Sequence, residues 1–338
     1  MGAVTAVHVQ KNAVAFGDAL TVSEGINKTA KLGSSIISFL SKVLGALSNG
    51  WHVFSSALKT TVEVLDFMDI FVRITEWIKG EVKGAWKIAS RVCLTVFRVF
   101  NVISFLEKVK LIDMGPVVSK LSTIPVIGWI VNLPVGLIGI FAFGLGTVNN
   151  SIQVAADSAR KRIQENIKQA LVARRIAINP KADAMDIAIQ KNKYEVAHNA
   201  IQSDKALLSK LKDHVDLKRR NYTVLDQNQI QAQWNTRSQP NYATDASLDK
   251  RIKRANLQVN KITVERGKTI VGLINDAIKV AVIALFLIGS IVGGILAATS
   301  IFMLSASLAA ASIGFYKVFH DKFAKMSVEN TKADIARI

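Results

Sequence analysis

Cysteine occurs once in 338 residues, at Cys93, so no intramolecular disulfide can form and no oxidising compartment is implied. Acid is also scarce, with 25 Asp and Glu against 43 Lys and Arg, a formal net charge of +18. That imbalance favours anionic partners: lipid headgroups, nucleic acid or acidic protein surfaces. Most telling is where charge is missing altogether. None occurs in the 36 residues 121–156 or in the 37 residues 280–316. A mean hydropathy of +0.29 exceeds what a solvated surface usually allows, so lipid-facing surface has to account for some of the apolar content. The first thirty residues lack a basic region followed by a continuous apolar run, which leaves internal hydrophobic segments, or a signal-independent export route, to direct insertion.

Catalytic and metal-binding patterns are equally sparse. His8, His52, His198, His214 and His320 are isolated from one another and from Cys93, without metal-ligand spacing. Gly267-Lys268-Thr269 resembles the end of a phosphate-binding loop, but Ile262 stands where the first glycine is needed and no apolar strand precedes it, so it reads as a juxtamembrane linker. There is no Gly-x-Ser-x-Gly elbow. The charge-free runs hold no intramembrane acid or base of the kind proton-coupled transporters and pumps use. The expectation is a chain that is not an enzyme and needs no cofactor. Cys93 sits in an apolar stretch and reads as a packed thiol.

What is present is helical periodicity. Residues 1–32 read as a mobile tail, with a helix start possible near Ser23. The region 33–111 reads as amphipathic helices. Ile36, Ile37, Leu40, Val43, Leu44 and Leu47 form one stripe before Asn49-Gly50. Trp51, Phe54, Leu58, Val62 and Leu65 begin a second, and a third helix runs from about Trp86 to Val109. Lys83, Lys87, Arg91 and Arg98 interleave with Trp77, Trp86, Phe97 and Phe100, as on a helix in a membrane interface, although a packed three-helix bundle with a basic solvated face fits equally. Within the apolar membrane segment 121–156, residues 124–148 would rise about 37 Å as a helix, enough for one crossing. Pro125, Asn132 and Pro134 point to a kinked span or, alternatively, a re-entrant or shallow hairpin.

Residues 157–268 carry 23 basic against 12 acidic residues and read as a basic soluble helical hairpin domain. Asn179-Pro180 stops a first helix; a second spans about Asp183 to Arg220, with a coiled-coil seam of Ile187, Tyr194, Ile201, Leu208 and Val215 spaced by sevens. Ala197 and Leu211 partly complete the seam, and Gln190, Asp204 and Lys218 interrupt it. Asn221 to Ala246 reads as a flexible connection, and Ser247 as the N-cap of a long helix with Leu248, Ile252, Ala255, Val259 and Ile262 on one face. Arg160, Lys161 and Arg162 after one apolar segment, and Lys261, Arg266 and Lys268 before the next, are the lipid-headgroup candidates. As one helix, 280–316 would be about 55 Å long, so two short crossings in a transmembrane helical hairpin are expected, with Gly289 and Gly293 as a close-packing pair. The polar tail 317–338 then returns to the side of the basic domain.

This layout, a pair of apolar lobes over Val280 to Tyr316 beside helical and coiled-coil segments, resembles the inclusion membrane proteins of chlamydiae and their relatives. The resemblance implies a hairpin in a host-cell vacuole membrane, with flanking segments facing the cytosol to engage host proteins. Two features depart from that pattern: the second apolar segment at 124–148 and the amphipathic region before it. The expected object is an all-α helical integral membrane protein, with amphipathic N-terminal helices, the basic hairpin domain and the C-terminal transmembrane hairpin. Its expected role is a non-catalytic scaffold, with anionic lipids and a protein partner of 157–268, and with homo-oligomerisation left open. A membrane-permeabilising effector or channel is the rival. Nucleic acid is disfavoured, because Tyr194, Tyr222, Trp234 and Tyr242 form no stacking platform.

Overall fold

The computed structural model describes residues 23–44, 85–108, 135–177, 183–211, 245–291 and 296–338. Among them are six helices and no strand: α1 (Ser23–Leu44), α2 (Ala85–Lys108), α3 (Val135–Ala177), α4 (Ala184–Leu211), α5 (Asp245–Ile291) and α6 (Leu296–Arg337). The helix expected from Trp51, the seam position Val215, the connection 221–244 and Gly293 lie outside the described residues. Residues 1–32 are not all tail: α1 starts at Ser23 and runs through Gly33, because Ile26, Ala30 and Leu32 extend the apolar stripe of Ile36 and Ile37 upstream. Pro134 sits just before α3, where proline is compatible with a helix start, so the described part of 124–148 is straight-through helix from Val135. Gly136–Ala177 is the one helix among the described residues that is long and apolar enough, by length and composition, to cross a membrane.

The chain divides into two compact units, residues 1–150 with 270–323, and residues 151–269 with 324–338. The second unit buries large apolar side chains in the ordinary way. Ile163, Ile167 and Leu171 of α3, Ile201 of α4, and Leu248 and Ala255 of α5 form one cluster, with Leu208 and Ile252 packed on it. Ala170 meets Tyr194 and Ala197 in a second cluster. The basic domain is therefore built on three helices rather than on a two-helix hairpin alone. Residues 157–177 carry their own 3.6-period stripe and close over the other two. At the head of α4, Asp183 caps the helix: its carboxylate accepts from the Asp186 amide at 2.6 Å, satisfying one orphan donor of the first turn.

In the first unit, α5 and α6 run antiparallel. A Cβ on Gly272 would lie 3.9 Å from Lys317 Cε, and one on Gly314 would lie 3.7 Å from Asn275 Oδ1, so residues pair about a point near 294–295, between the two helices. Helix α3 approaches α5 equally closely: a Cβ on Gly136 would meet Leu287 at 2.8 Å, and one on Gly139 would meet Ile283 at 3.0 Å. A side chain at either glycine would have to displace the terminal methyls of Leu287 or Ile283. Phe97 of α2 meets Phe143 of α3 edge to face at 6.1 Å, and the Ser90 hydroxyl donates to the Ala142 carbonyl at 2.9 Å.

Candidate functional site

The first unit exposes large apolar side chains on all of its described helices: Ile26, Ile36 and Leu40 on α1, Trp86, Ile88, Val92 and Val99 on α2, Phe141 and Val148 on α3, Ile274 on α5 and Tyr316 on α6. Its buried residues mix polar Asn27, Ser34, Arg98 and Asn275 with apolar Ala30, Ile138, Ala142, Phe143 and Val318. Exposed hydrophobics scattered singly mean little, but buried polar groups are informative. Hydroxyls on these helices are satisfied internally. Thr95, Thr147 and Ser312 each donate to the carbonyl four residues back, at 2.8 to 2.9 Å, which removes their need for water.

Within that interior a polar cluster centres on Asp276. Its Oδ2 accepts from Asn150 Nδ2 at 3.0 Å, and its Oδ1 accepts from Asn275 Nδ2 at 2.9 Å. The cations Arg91, Lys279 and Lys317 surround it. Lys317 is held in turn by Asp321 at 2.7 Å, and Lys279 Nζ stands 4.8 Å above the Phe143 ring. Three glycines make the space. A Cβ at Gly146 would sit 2.7 Å from Asp276 Oδ2 and 3.3 Å from Ser90 Oγ; one at Gly272 would sit 3.4 Å from Asn150 Nδ2; and one at Gly314 would touch Lys28 Cδ at 3.5 Å. Five helices thus contribute polar side chains to one locus. The arrangement gathers charge inside the first unit. It has no paired nucleophile and base, and no group of three or more metal-ligating residues occurs among the described residues.

The residues singled out from sequence are distributed across the second unit. Arg160 is 1% exposed and holds Asp157 at 3.4 Å, so its guanidinium is enclosed and not offered to a headgroup. Lys161 pairs with Glu165 at 3.5 Å. Arg162 forks onto Asp204, with Nε 3.0 and 3.1 Å from the two carboxylate oxygens, and that bond pushes the guanidinium pKa further up. Lys268 is exposed, while Lys261 and Arg266 are half-buried. Of the seam, Tyr194 and Ile201 are buried, Ile187 and Leu208 half-buried, with Ala197 between them. Gln190 and Asp204, expected to interrupt the seam, are buried on the same face; Asp204 is tolerated because Arg162 neutralises it. Gly289 lies in the last turns of α5. Cys93 is half-buried on α2.

Asp276 and its neighbours were not legible as a cluster, since they are drawn from residues 28 to 321. A local signal does exist. Gly146, Gly272 and Gly314 are each followed three or four residues later, on the same helix face, by Asn150, Asn275 with Asp276, and Lys317. No protein-family model, curated protein or solved structure matches this chain.

Proposed function

We propose that the chain is a non-catalytic membrane-anchored scaffold. Its first unit lies in the bilayer, and its basic second unit stands in water to engage a protein partner. The observation that supports it is the exposed large apolar side chains on every described helix of the first unit, beside the buried polar Asn27, Ser34, Arg98 and Asn275. On this reading α5 and α6 form the transmembrane hairpin over 280–316, and α3 adds a further apolar segment. Exposed Lys268, with Lys261 and Arg266, faces anionic headgroups, each cation contributing about 1 kcal/mol. A host-cell vacuole membrane, with the basic unit toward the cytosol, is the location that the likeness in layout to inclusion membrane proteins would suggest for such a scaffold.

One observation favours a second reading, a membrane-permeabilising channel. The Asp276 cluster puts charge among helices whose outer faces are apolar, the placement that marks ion pathways. Both readings are tested by reconstituting the full chain into liposomes of mixed zwitterionic and anionic lipid. The scaffold predicts retention through carbonate extraction with no ionic leak. A leak abolished by Asp276→Asn transfers the assignment to the channel, and recovery in the carbonate supernatant overturns both.

A further inference from the structure

In the second unit α5 carries a seam apart from the face it gives to the core. Lys250, Arg254, Leu257, Lys261, Val264 and Lys268 follow one another at steps of four and three residues, the a and d spacing of a coiled coil. They lie about 140° round the helix from buried Leu248, Ala255 and Ile262. Lys250, Arg254 and Lys268 are exposed, and Leu257, Lys261 and Val264 half-buried. Among the described residues these four cations make no ion pair or hydrogen bond.

What borders this seam fits it poorly. The last part of α6 belongs to the same unit and offers Ala324, Val328, Thr331 and Ile335 at the same steps, with no acid among them. The pairing of Gly272 with Lys317 and of Gly314 with Asn275, carried along the two unbroken helices, brings Val328 level with Lys261 and Ile335 level with Arg254. Past Ala324, 2% exposed, no residue of this arm is buried. Its described polar bonds stay inside it: Thr331 Oγ1 donates to the Ser327 carbonyl at 2.8 Å, and Arg337 lies 3.9 Å from Asp334. Aliphatic side chains opposite cations give the long stems something to lie on but leave the charge unanswered.

We propose that the arm of residues 325–338 is a displaceable cover, and that an acidic helix of the partner protein takes its place along Lys250 to Lys268. Charge and spacing select the occupant. A helix with Glu or Asp opposite Arg254, Lys261 and Lys268, and Leu opposite Leu257 and Val264, answers the seam position by position. A second copy sets each cation against itself when parallel and Lys250 against Lys268 when antiparallel. A headgroup layer is a plane, whereas Lys250 and Lys268 stand about 27 Å apart along α5, roughly three Debye lengths. For nucleic acid, the seam has no aromatic side chain on which a base could stack. The proposal rests on the reading of the second unit as partner-binding and not on the membrane, which vesicle flotation reports separately.

The test titrates the full chain, in nonionic detergent at physiological ionic strength, into a fluorescein-labelled synthetic helix of three heptads with Glu at a and Leu at d. Anisotropy should show saturable binding. Arg254→Glu with Lys261→Glu should weaken it by about tenfold or more. Lys193→Glu with Lys210→Glu, the same charge change at exposed sites on α4, should weaken it by less than about threefold. Deleting residues 325–338 should tighten it by about threefold or more, because the arm no longer competes. Circular dichroism reports whether each variant keeps its helicity, and the deletion and the peptide controls decide the matter even where a reversal unfolds the unit. No saturable binding to the intact or the shortened chain, equal losses from the two pairs of reversals, or unchanged affinity after the deletion would each overturn the proposal. So would equally tight binding of a scrambled peptide of the same composition or of a single-stranded oligonucleotide. A chain that binds the peptide but does not float keeps this proposal and loses the membrane reading.

Discussion

Asp157 is completely enclosed and accepts from Gln153 Nε2 at 3.0 Å, Thr269 Oγ1 at 3.2 Å and Arg160 Nη1 at 3.4 Å, which ties α3 to α5 within the second unit. Removing one member of a buried charge pair costs far more than the pair contributes, because the survivor keeps its desolvation penalty. Asp157→Asn preserves shape and removes the charge opposite Arg160, so a loss of about 3 kcal/mol in unfolding free energy is predicted, read as a lower denaturant midpoint for the second unit. The half-exposed Arg175–Asp249 pair, 2.9 Å apart, should matter much less, and Asp249→Ala is predicted to cost under about 1 kcal/mol. Tyr194 supplies a pH signature. Burial pushes its phenol above the ordinary value, partly offset by Arg174. The folded state thus disfavours the phenolate: the stability contribution is intact below the unfolded phenol's value of about 10 and is lost as pH rises from there to the folded value. Tyr194→Phe should flatten that alkaline loss in an unfolding series from neutral pH upward; an identical slope in both proteins would show that Tyr194 ionisation is not linked to folding.

At the scale of elements, the 3.6-residue stripes carried most of the information. Starts and stops were readable where chemistry punctuates them: Asp183 before α4, Asn179-Pro180 after α3, and the apolar run opening α2 at Ala85. The apolar and basic parts of α3 were read as separate pieces meeting at 156–157, yet the helix runs unbroken, because helix propensity does not change where charge begins. The polar cluster escaped because pairwise convergence between residues over a hundred positions apart leaves no periodic trace. Its energetic basis is the close approach of α3 to α5 at Gly146. Gly146→Val would drive a branched side chain into Asp276 Oδ2 and Ser90 Oγ, and is predicted to destabilise the first unit by about 1 to 3 kcal/mol, measured as lowered thermal stability in mild detergent. Gly144→Val on the same helix, where a Cβ meets nothing within 4 Å, is the control and should be near neutral. In the second unit Leu248, 1% exposed, anchors the main cluster, and Leu248→Ala should cost about 2 to 5 kcal/mol.

For the whole molecule, the antiparallel pairing of α5 with α6 has a topological consequence under the membrane reading. Ser247 and Thr331 both belong to the second unit, so both must face one aqueous compartment. Single cysteines at these positions in a Cys93→Ser background are predicted to react together with an impermeant maleimide, or to be protected together, in sealed vesicles. Labelling of one without the other would eliminate the hairpin. The exposed apolar side chains of the first unit have a further consequence, for inheritance. In a water-soluble domain, substitution is free on the outside so long as it stays polar, and is barred inside unless it stays greasy. Under the membrane reading the outer half of that rule reverses. Outward positions such as Phe141 and Val92 should exchange among apolar residues with little effect and reject Asp or Lys, while inward ones such as Asn27 and Ser34 should accept small polar replacements and reject Leu. A saturation mutagenesis map of this half of the chain, coloured by hydrophobicity, should therefore differ from the map for residues 151–269 on its outer face, where apolar residues rather than charged ones would be kept.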